Sequence, residues 1–266
     1  MSPVPPLCAK IAVIGGAGWL GRAMIEGLLS SRVVTPGCIT VTGRGARSSP
    51  FPQWPGITYT QDNQSAAANA DIVILSVRPS DLSTIQLDLT GCILVSVIAG
   101  CSLADLERIF HTDRVIRCMP NAAAECRASY TPWYARASLS DTDSDIVSRI
   151  LQAFGKADRV PHEADLDFLT ALSGSGPAFP ALLASAMVSS AQKAGVPLPI
   201  ARRAVAQTLK GAASLMRDEN ADPAVVVDTF MTYGGTTAAG LSTMISNGFL
   251  EAVQRGLEAA AQKARS

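Results

Sequence analysis

The sequence predicts an α/β chain, with a doubly wound, mostly parallel sheet in its N-terminal part and an all-α C-terminal part. Three observations carry this reading. Short apolar runs alternate with helical stretches as far as about residue 161, a glycine-rich turn joins the first run to the first helix, and from about residue 163 the strand pattern yields to long Ala- and Leu-rich segments. The expected division is a Rossmann-like domain over residues 1–162 and an all-helical domain over residues 163–266.

Taken in order, residues 10–15, 39–42, 71–77, 92–97 and 114–119 read as strands. They are almost continuously apolar, as parallel strands covered on both faces must be. Between them, residues 19–31, 65–70, 80–85 and 103–110 read as helices. In the C-terminal part, helices are expected over 177–194, 199–216, 223–230, 236–246 and 249–264, with prolines at several starts and Gly195 and Gly248 near stops. The segment 177–194 carries Leu182, Leu183, Ala186, Met187 and Ala194 with little charge around it, so a second copy of the chain is expected to cover it, the alternative being burial against the first domain alone.

The 22 basic and 22 acidic side chains cancel, so no general field draws the chain of 266 residues to nucleic acid or an anionic membrane. A small molecule is the expected partner. The six cysteines form no C-x-x-C pair and are expected to be reduced packing residues, which points to the cytoplasm. The first seven residues, with three prolines and no basic segment before an apolar one, do not resemble a secretory leader. No uncharged apolar run is expected to approach the roughly 20 residues that cross a bilayer, so no membrane partner is expected. No metal site is expected either, since His111 and His162 lack a second ligand at metal spacing.

The clearest chemistry lies in the first turn. Gly16-Ala17-Gly18-Trp19-Leu20-Gly21 is G-x-G-x-x-G placed between a strand and a helix, the context that a dinucleotide pyrophosphate needs. Gly16 is expected to permit the tight turn, Gly18 the approach of backbone to phosphate, and Gly21 close packing of the helix. The second strand ends in Thr42-Gly43-Arg44-Gly45-Ala46-Arg47, without the carboxylate that binds a free ribose. Arg44 and Arg47 suit a 2′-phosphate, so NADPH is expected over NADH. The spacing of Gly15, Gly18 and Gly21 also fits a short-chain dehydrogenase, but no tyrosine here has the lysine four residues on that such chemistry requires.

Three further segments carry a family resemblance. Arg117-Cys118-Met119-Pro120-Asn121 reads R-x-M-P-N, Ser173-Gly174-Ser175-Gly176-Pro177-Ala178 reads S-G-S-G-P-A, and Gly234-Gly235-Thr236-Thr237 reads G-G-T-T. With them the sequence resembles the pyrroline-5-carboxylate reductases over nearly its whole length. The resemblance implies NADPH-dependent reduction of a cyclic imine carboxylate, foremost 1-pyrroline-5-carboxylate to L-proline in amino-acid biosynthesis. It also implies a homodimer or higher homo-oligomer, with residues 163–266 serving dimerisation and substrate binding.

Residue by residue, the resemblance implies that Gly16, Ala17, Gly18, Trp19 and Leu20 cradle pyrophosphate and that Asn63 touches the adenine ribose. Ser76, Val77, Arg78 and Pro79 would form the turn beneath the nicotinamide ribose, with Val97, Ile98, Ala99 and Asn121 toward the nicotinamide. Thr232, Gly234, Gly235, Thr236 and Thr237 would hold the substrate carboxylate, and the Thr237 hydroxyl would serve the imine nitrogen as the catalytic hydrogen bond. The family pattern is departed from at Arg78, Ala122, Ala123, Phe179, Tyr233 and Ile245. Those departures leave open a related imine reductase acting on a modified cyclic imino acid in specialised metabolism. A β-hydroxyacid-type dehydrogenase is a further alternative, but its catalytic lysine would have to be Lys193, near the far end of the helix. A non-catalytic NADP-binding sensor would not need the Gly-Gly-Thr-Thr turn.

Overall fold

A computed structural model of the chain describes residues 5–45, 50–216 and 221–265; Arg47 lies outside the described residues. One compact unit runs to Ser175 and takes in the residues from Ala260 onward, and the other is Gly176–Ala259.

The first unit is built on one sheet. Its strands are β1 (Ile11–Ile14), β2 (Ile39–Thr42), β3 (Thr58–Thr60), β4 (Ile72–Leu75), β5 (Ile93–Ser96), β6 (Val115–Cys118), β7 (Ser129–Ala135) and β8 (Gly155–Arg159). The spatial order is β3-β2-β1-β4-β5-β6-β7-β8, parallel throughout except between β6 and β7. Alternation of side chains sorts each central strand between two cores. Ile11, Val13, Ile72, Ile74, Ile93 and Val95 enter one with α1 (Trp19–Ser30) and α4 (Asp141–Gln152). Ala12, Ile14, Val73, Leu75 and Leu94 enter the other with α2 (Asn63–Ala67) and α3 (Leu103–Phe110). Each fully buried Ile or Leu contributes roughly 1.5–3 kcal/mol, so the two cores together hold the sheet between its helices.

The five expected strands are present, and three more are added. β3 is short and polar, and β8 reads Gly-Lys-Ala-Asp-Arg on the sheet edge, so neither shows the apolar run that marks a buried strand. β7 contains Pro132, which ordinarily argues against an inner strand. Here β6 pairs only with Trp133, Tyr134 and Ala135, and the Pro132 carbonyl accepts from the Met119 N–H, so the missing donor breaks no rung. Helix α4 adds to the expected helices although its signals are local: Ser140 caps it by accepting from the Asp143 N–H, with Asp141 and Asp143 in the first turn and Arg149 in the last. The helix expected at 65–70 starts earlier, at Asn63, because Asp62 caps it through the Gln64 and Ser65 N–H groups. The segment expected as a helix over 80–85 is a 3-10 turn, Pro79–Thr84.

Helix α5 (Asp165–Leu169) and a π turn over Thr170–Gly174 follow β8 in the first unit. The second unit is helical: α6 (Ala178–Lys193), α7 (Leu198–Leu215), α8 (Pro223–Tyr233), α9 (Gly235–Ser246) and most of α10 (Phe249–Arg265). All five expected C-terminal helices form. One expectation fails. Residues 168–192 carry no charged side chain, and the helical run Asp165–Lys193, 29 residues with an 18-residue stretch of mean hydropathy 1.3, is long and apolar enough to cross a membrane by length and composition. Its serines, glycines and prolines disguise it in the sequence. Helix α6 buries none of its residues within the chain, and Leu182 is 73% exposed.

The lower edge of the sheet is tied by a bidentate ion pair. Arg114 donates from Nε to Asp143 Oδ2 at 2.9 Å and from Nη2 to Oδ1 at 2.5 Å, while Nη1 donates to the Gly91 carbonyl at 2.6 Å. These bonds hold the Asp143 carboxyl below the usual carboxylate range, with the Arg114 hydrogen bond the largest cause. A depressed pKa contributes stability above the unfolded value, and that contribution is lost as pH falls through the folded value. Asp143→Asn is therefore expected to lower unfolding free energy by about 1–3 kcal/mol at neutral pH. It should also flatten the loss of stability below about pH 4, as read by urea unfolding across pH.

Candidate functional site

The strand order reverses between β1 and β4, and ligands of open α/β sheets bind at such a switch point beyond the carboxyl ends of the strands. The register sets Ile14 beside Leu75 and Leu75 beside Ser96. The turns that follow β1, β4 and β5 therefore start at one level, and the segment ending in Asn121 leaves β6 at the same edge.

Gly15 makes the tight turn. Its φ of 76° favours glycine, and an added Cβ would lie 2.5 Å from the Ser76 carbonyl oxygen. This corrects the assignment of that role to Gly16, whose constraint is packing: a Cβ there would meet Val13 Cγ1 at 2.8 Å and Val41 Cγ1 at 2.9 Å. At Gly21 a Cβ would stand 2.6 Å from Gly16 Cα, so helix and turn touch backbone to backbone, as expected. The end of β2 fastens the loop from the other side. Thr42 Oγ1 accepts from the Gly15 N–H at 3.1 Å, and the Thr42 carbonyl accepts from the Ala17 N–H at 3.3 Å.

Helix α1 follows directly on Gly18, with no side-chain cap and no acidic residue in its first turn. The N–H groups of Trp19, Leu20 and Gly21 lack an intrahelical partner and carry the positive end of the helix dipole, which suits a phosphate. In front of them lies a cavity of about 560 Å³. Of the residues expected from the sequence to bind cofactor, Ala17, Gly18, Arg44, Asn63, Ser76, Val77 and Arg78 line it. Among the described residues its charged lining is Arg22, Arg44 and Arg78 against one carboxylate, Asp81. Uncapped N–H groups and a surplus of guanidinium fit an anionic dinucleotide.

Other expected residues stand apart from the cavity wall. Gly16, Leu20, Pro79, Val97, Ile98 and Ala99 do not line it, and Ile98 is buried. Trp19 is 54% exposed and its indole donates to Glu125 at 2.6 Å. Asn121 is buried and engaged at both ends: its Oδ1 accepts from the Ala123 N–H and its Nδ2 donates to the Ser173 carbonyl, both at 2.9 Å. Sequence reading missed Arg22, Tyr59 and Asp81. Arg22 donates to the Ala17 carbonyl at 2.9 Å, and Tyr59 to the Gly43 carbonyl at 2.9 Å. Arg22 follows the glycine motif directly and was open to notice; Tyr59 and Asp81 reach the cavity only through the fold.

In the second unit, Gly234 (φ 78°) and Gly235 (φ 70°) take consecutive left-handed conformations at the start of α9. No side chain caps this helix and no acidic residue stands in its first turn. Among the described residues the Thr236 and Thr237 hydroxyls have no hydrogen-bond partner. Thr232 and Tyr233, with Val225, Asp228 and Thr229, line a shallow surface pocket.

A doubly wound sheet with this turn and this cationic cavity at its switch point defines an NAD(P)-dependent oxidoreductase. Residues 10–100 match a family model described as NADP oxidoreductase coenzyme F420-dependent, and residues 163–266 match one described as pyrroline-5-carboxylate reductase dimerisation. The pyrroline-5-carboxylate reductase of Pseudomonas aeruginosa is 33% identical over 96% of this chain and 95% of its own length. A solved pyrroline-5-carboxylate reductase structure from Coxiella burnetii superposes with a TM-score of 0.88 at 27% identity, covering 97% of this chain and 98% of that one. The fold is shared as well with the Plasmodium falciparum pyrroline carboxylate reductase with NADP bound, at a TM-score of 0.85 and 23% identity over 98% of each chain. The chain belongs to the pyrroline-5-carboxylate reductase family.

Replacing Gly15 by alanine adds a strained backbone and a contact with the Ser76 carbonyl. The variant is expected to keep its far-ultraviolet circular dichroism but bind NADP⁺ at least ~10-fold more weakly by calorimetry. An unchanged Kd would show that the turn does not shape the site.

Proposed function

We propose that the chain reduces a cyclic imine carboxylate with NADPH, converting 1-pyrroline-5-carboxylate to L-proline. The cationic cavity at the switch point carries this reading, in a chain whose family resemblance spans both units. The bound nicotinamide supplies the hydride. The chain's own residues bind, orient and donate. The N–H groups at the start of α1, with Gly16, Ala17 and Gly18, receive pyrophosphate; Arg44 and Arg47 receive the 2′-phosphate; Asn63 meets the adenine ribose. Ser76, Val77, Arg78 and Pro79, with Val97, Ile98, Ala99 and Asn121, shape the nicotinamide end.

Thr232, Gly234, Gly235 and Thr236 hold the substrate carboxylate. The left-handed glycines and the uncapped start of α9 support this role, since exposed N–H groups at a helix N-terminus favour an anion. The Thr237 hydroxyl donates to the imine nitrogen and keeps the carbon aligned for hydride. Threonine is a weak acid, so its contribution is positioning more than proton supply. Tyr233, 90% exposed beside these glycines, favours a second reading in which the ring of the imino acid is modified.

NADPH oxidation followed with a panel of cyclic imino acids tests the substrate, and no turnover of any of them would end the proposal. Thr237→Val keeps the shape and removes the hydroxyl. Turnover is expected to fall at least ~10-fold with NADPH affinity near wild type; unchanged turnover would move the chemistry elsewhere.

The working form is proposed to be a homodimer or larger assembly built on the helical segment. Leu182, Val225 and Leu250 are each more than half exposed in the single chain, an arrangement that a second copy relieves. Light scattering at low micromolar concentration should give at least twice the 27.7 kDa chain mass. A fully active monomer would refute it.

A further inference from the structure

The cofactor cavity contains an ion pair that the family reading does not use. Arg44 Nη2 lies 3.0 Å from Asp81 Oδ2, joining the end of β2 to the 3-10 turn after β4. Arg44 is 81% exposed at its side chain and Asp81 26%, so the arginine is the mobile partner and the carboxylate the fixed one. Asp81 is held by its backbone on both sides. Its N–H donates to the Arg78 carbonyl at 2.9 Å, and its own carbonyl accepts from Thr84 Oγ1 at 2.7 Å.

The end of β2 is where a doubly wound fold meets the ribose 2′ position. There a carboxylate selects for a 2′-hydroxyl and a guanidinium for a 2′-phosphate. This chain has both, the guanidinium from the usual strand and the carboxylate from the neighbouring turn, already paired with each other.

We propose that Asp81 is a specificity-determining residue that opposes Arg44 and narrows the preference for NADP(H) over NAD(H). This rests on the reading of the cavity as an NADP(H) site. To bind a 2′-phosphate, Arg44 exchanges one anionic partner for another while Asp81 stays nearby as a like charge. For NAD(H), Asp81 is available to accept from the 2′-hydroxyl once Arg44 swings outward. The opposite effect, Asp81 pre-orienting Arg44 for phosphate, is the weaker one, because an ion pair this exposed restrains a long side chain little. Repulsion between a carboxylate and a phosphate carrying nearly two charges, weakened by water and by salt, corresponds to a change in affinity of about fivefold.

The test is equilibrium binding by calorimetry to the intact enzyme without substrate. The probes are NADP⁺, NAD⁺, and the pair 2′,5′-ADP and 5′-ADP, which differ only in the 2′-phosphate. Asp81→Asn is expected to tighten NADP⁺ and 2′,5′-ADP about fivefold, and to leave NAD⁺ and 5′-ADP unchanged or slightly weaker. The gain should shrink as salt is raised. In an Arg44→Ala background the same substitution should still tighten NADP⁺, since the repulsion between Asp81 and the phosphate does not pass through Arg44; loss of the gain there would overturn repulsion as the cause. Unchanged or weakened NADP⁺ binding by Asp81→Asn, with Arg44→Ala still costing affinity, would overturn this proposal and leave the NADP(H) reading standing. If Arg44→Ala costs NADP⁺ nothing, the assignment of the 2′-phosphate to Arg44 fails, and this proposal fails with it.

Discussion

The site in the first unit depends on the contact between two backbones, Gly15 after β1 and Ser76 after β4. There is no room at Gly15 for a single carbon: a Cβ would sit 2.5 Å from the Ser76 carbonyl. That closeness draws the two turns together at the point where the sheet order reverses. Gly16 is pressed on Val13 and Val41, Gly21 on Gly16, and Gly43 on Ala17, where a Cβ would come within 2.5 Å of the alanine methyl carbon. The glycines thus serve packing as much as flexibility. By removing side chains from one side of the turn, they bring the uncapped N–H groups of α1 to the cavity with the β2 end close by.

The electrostatics follow from that geometry. A helix start without an acidic residue and, among the described residues, three guanidiniums against one carboxylate make a cavity that favours an anion although the chain as a whole is neutral. The charge that matters is local. The second unit repeats the device more simply, with consecutive left-handed glycines leading into an uncapped helix and two threonine hydroxyls without partners among the described residues. Its helices also leave large apolar side chains in the open, which is how a chain folds when part of its core is to be completed by another copy.

The sequence by itself determined the buried strands, the glycine turn, the helical C-terminal part and the family. These are properties of local periodicity and short motifs: β1, β2, β4, β5 and β6 are legible because burial on both faces demands unbroken apolar runs. Only the tertiary structure decided the rest. β7 tolerates Pro132 because of where the ladder of β6 ends, and β3 and β8 exist because a neighbour offers hydrogen bonds to otherwise polar segments. Gly15, not Gly16, turns the chain, since the left-handed backbone is set by the carbonyl of a residue 61 positions on. Arg44 and Asp81, 37 residues apart, meet only after two crossovers have brought their turns to one edge of the sheet. Spacing along a chain reports what neighbours within one element require; the meeting of charges from different elements depends on the order in which the strands are laid down.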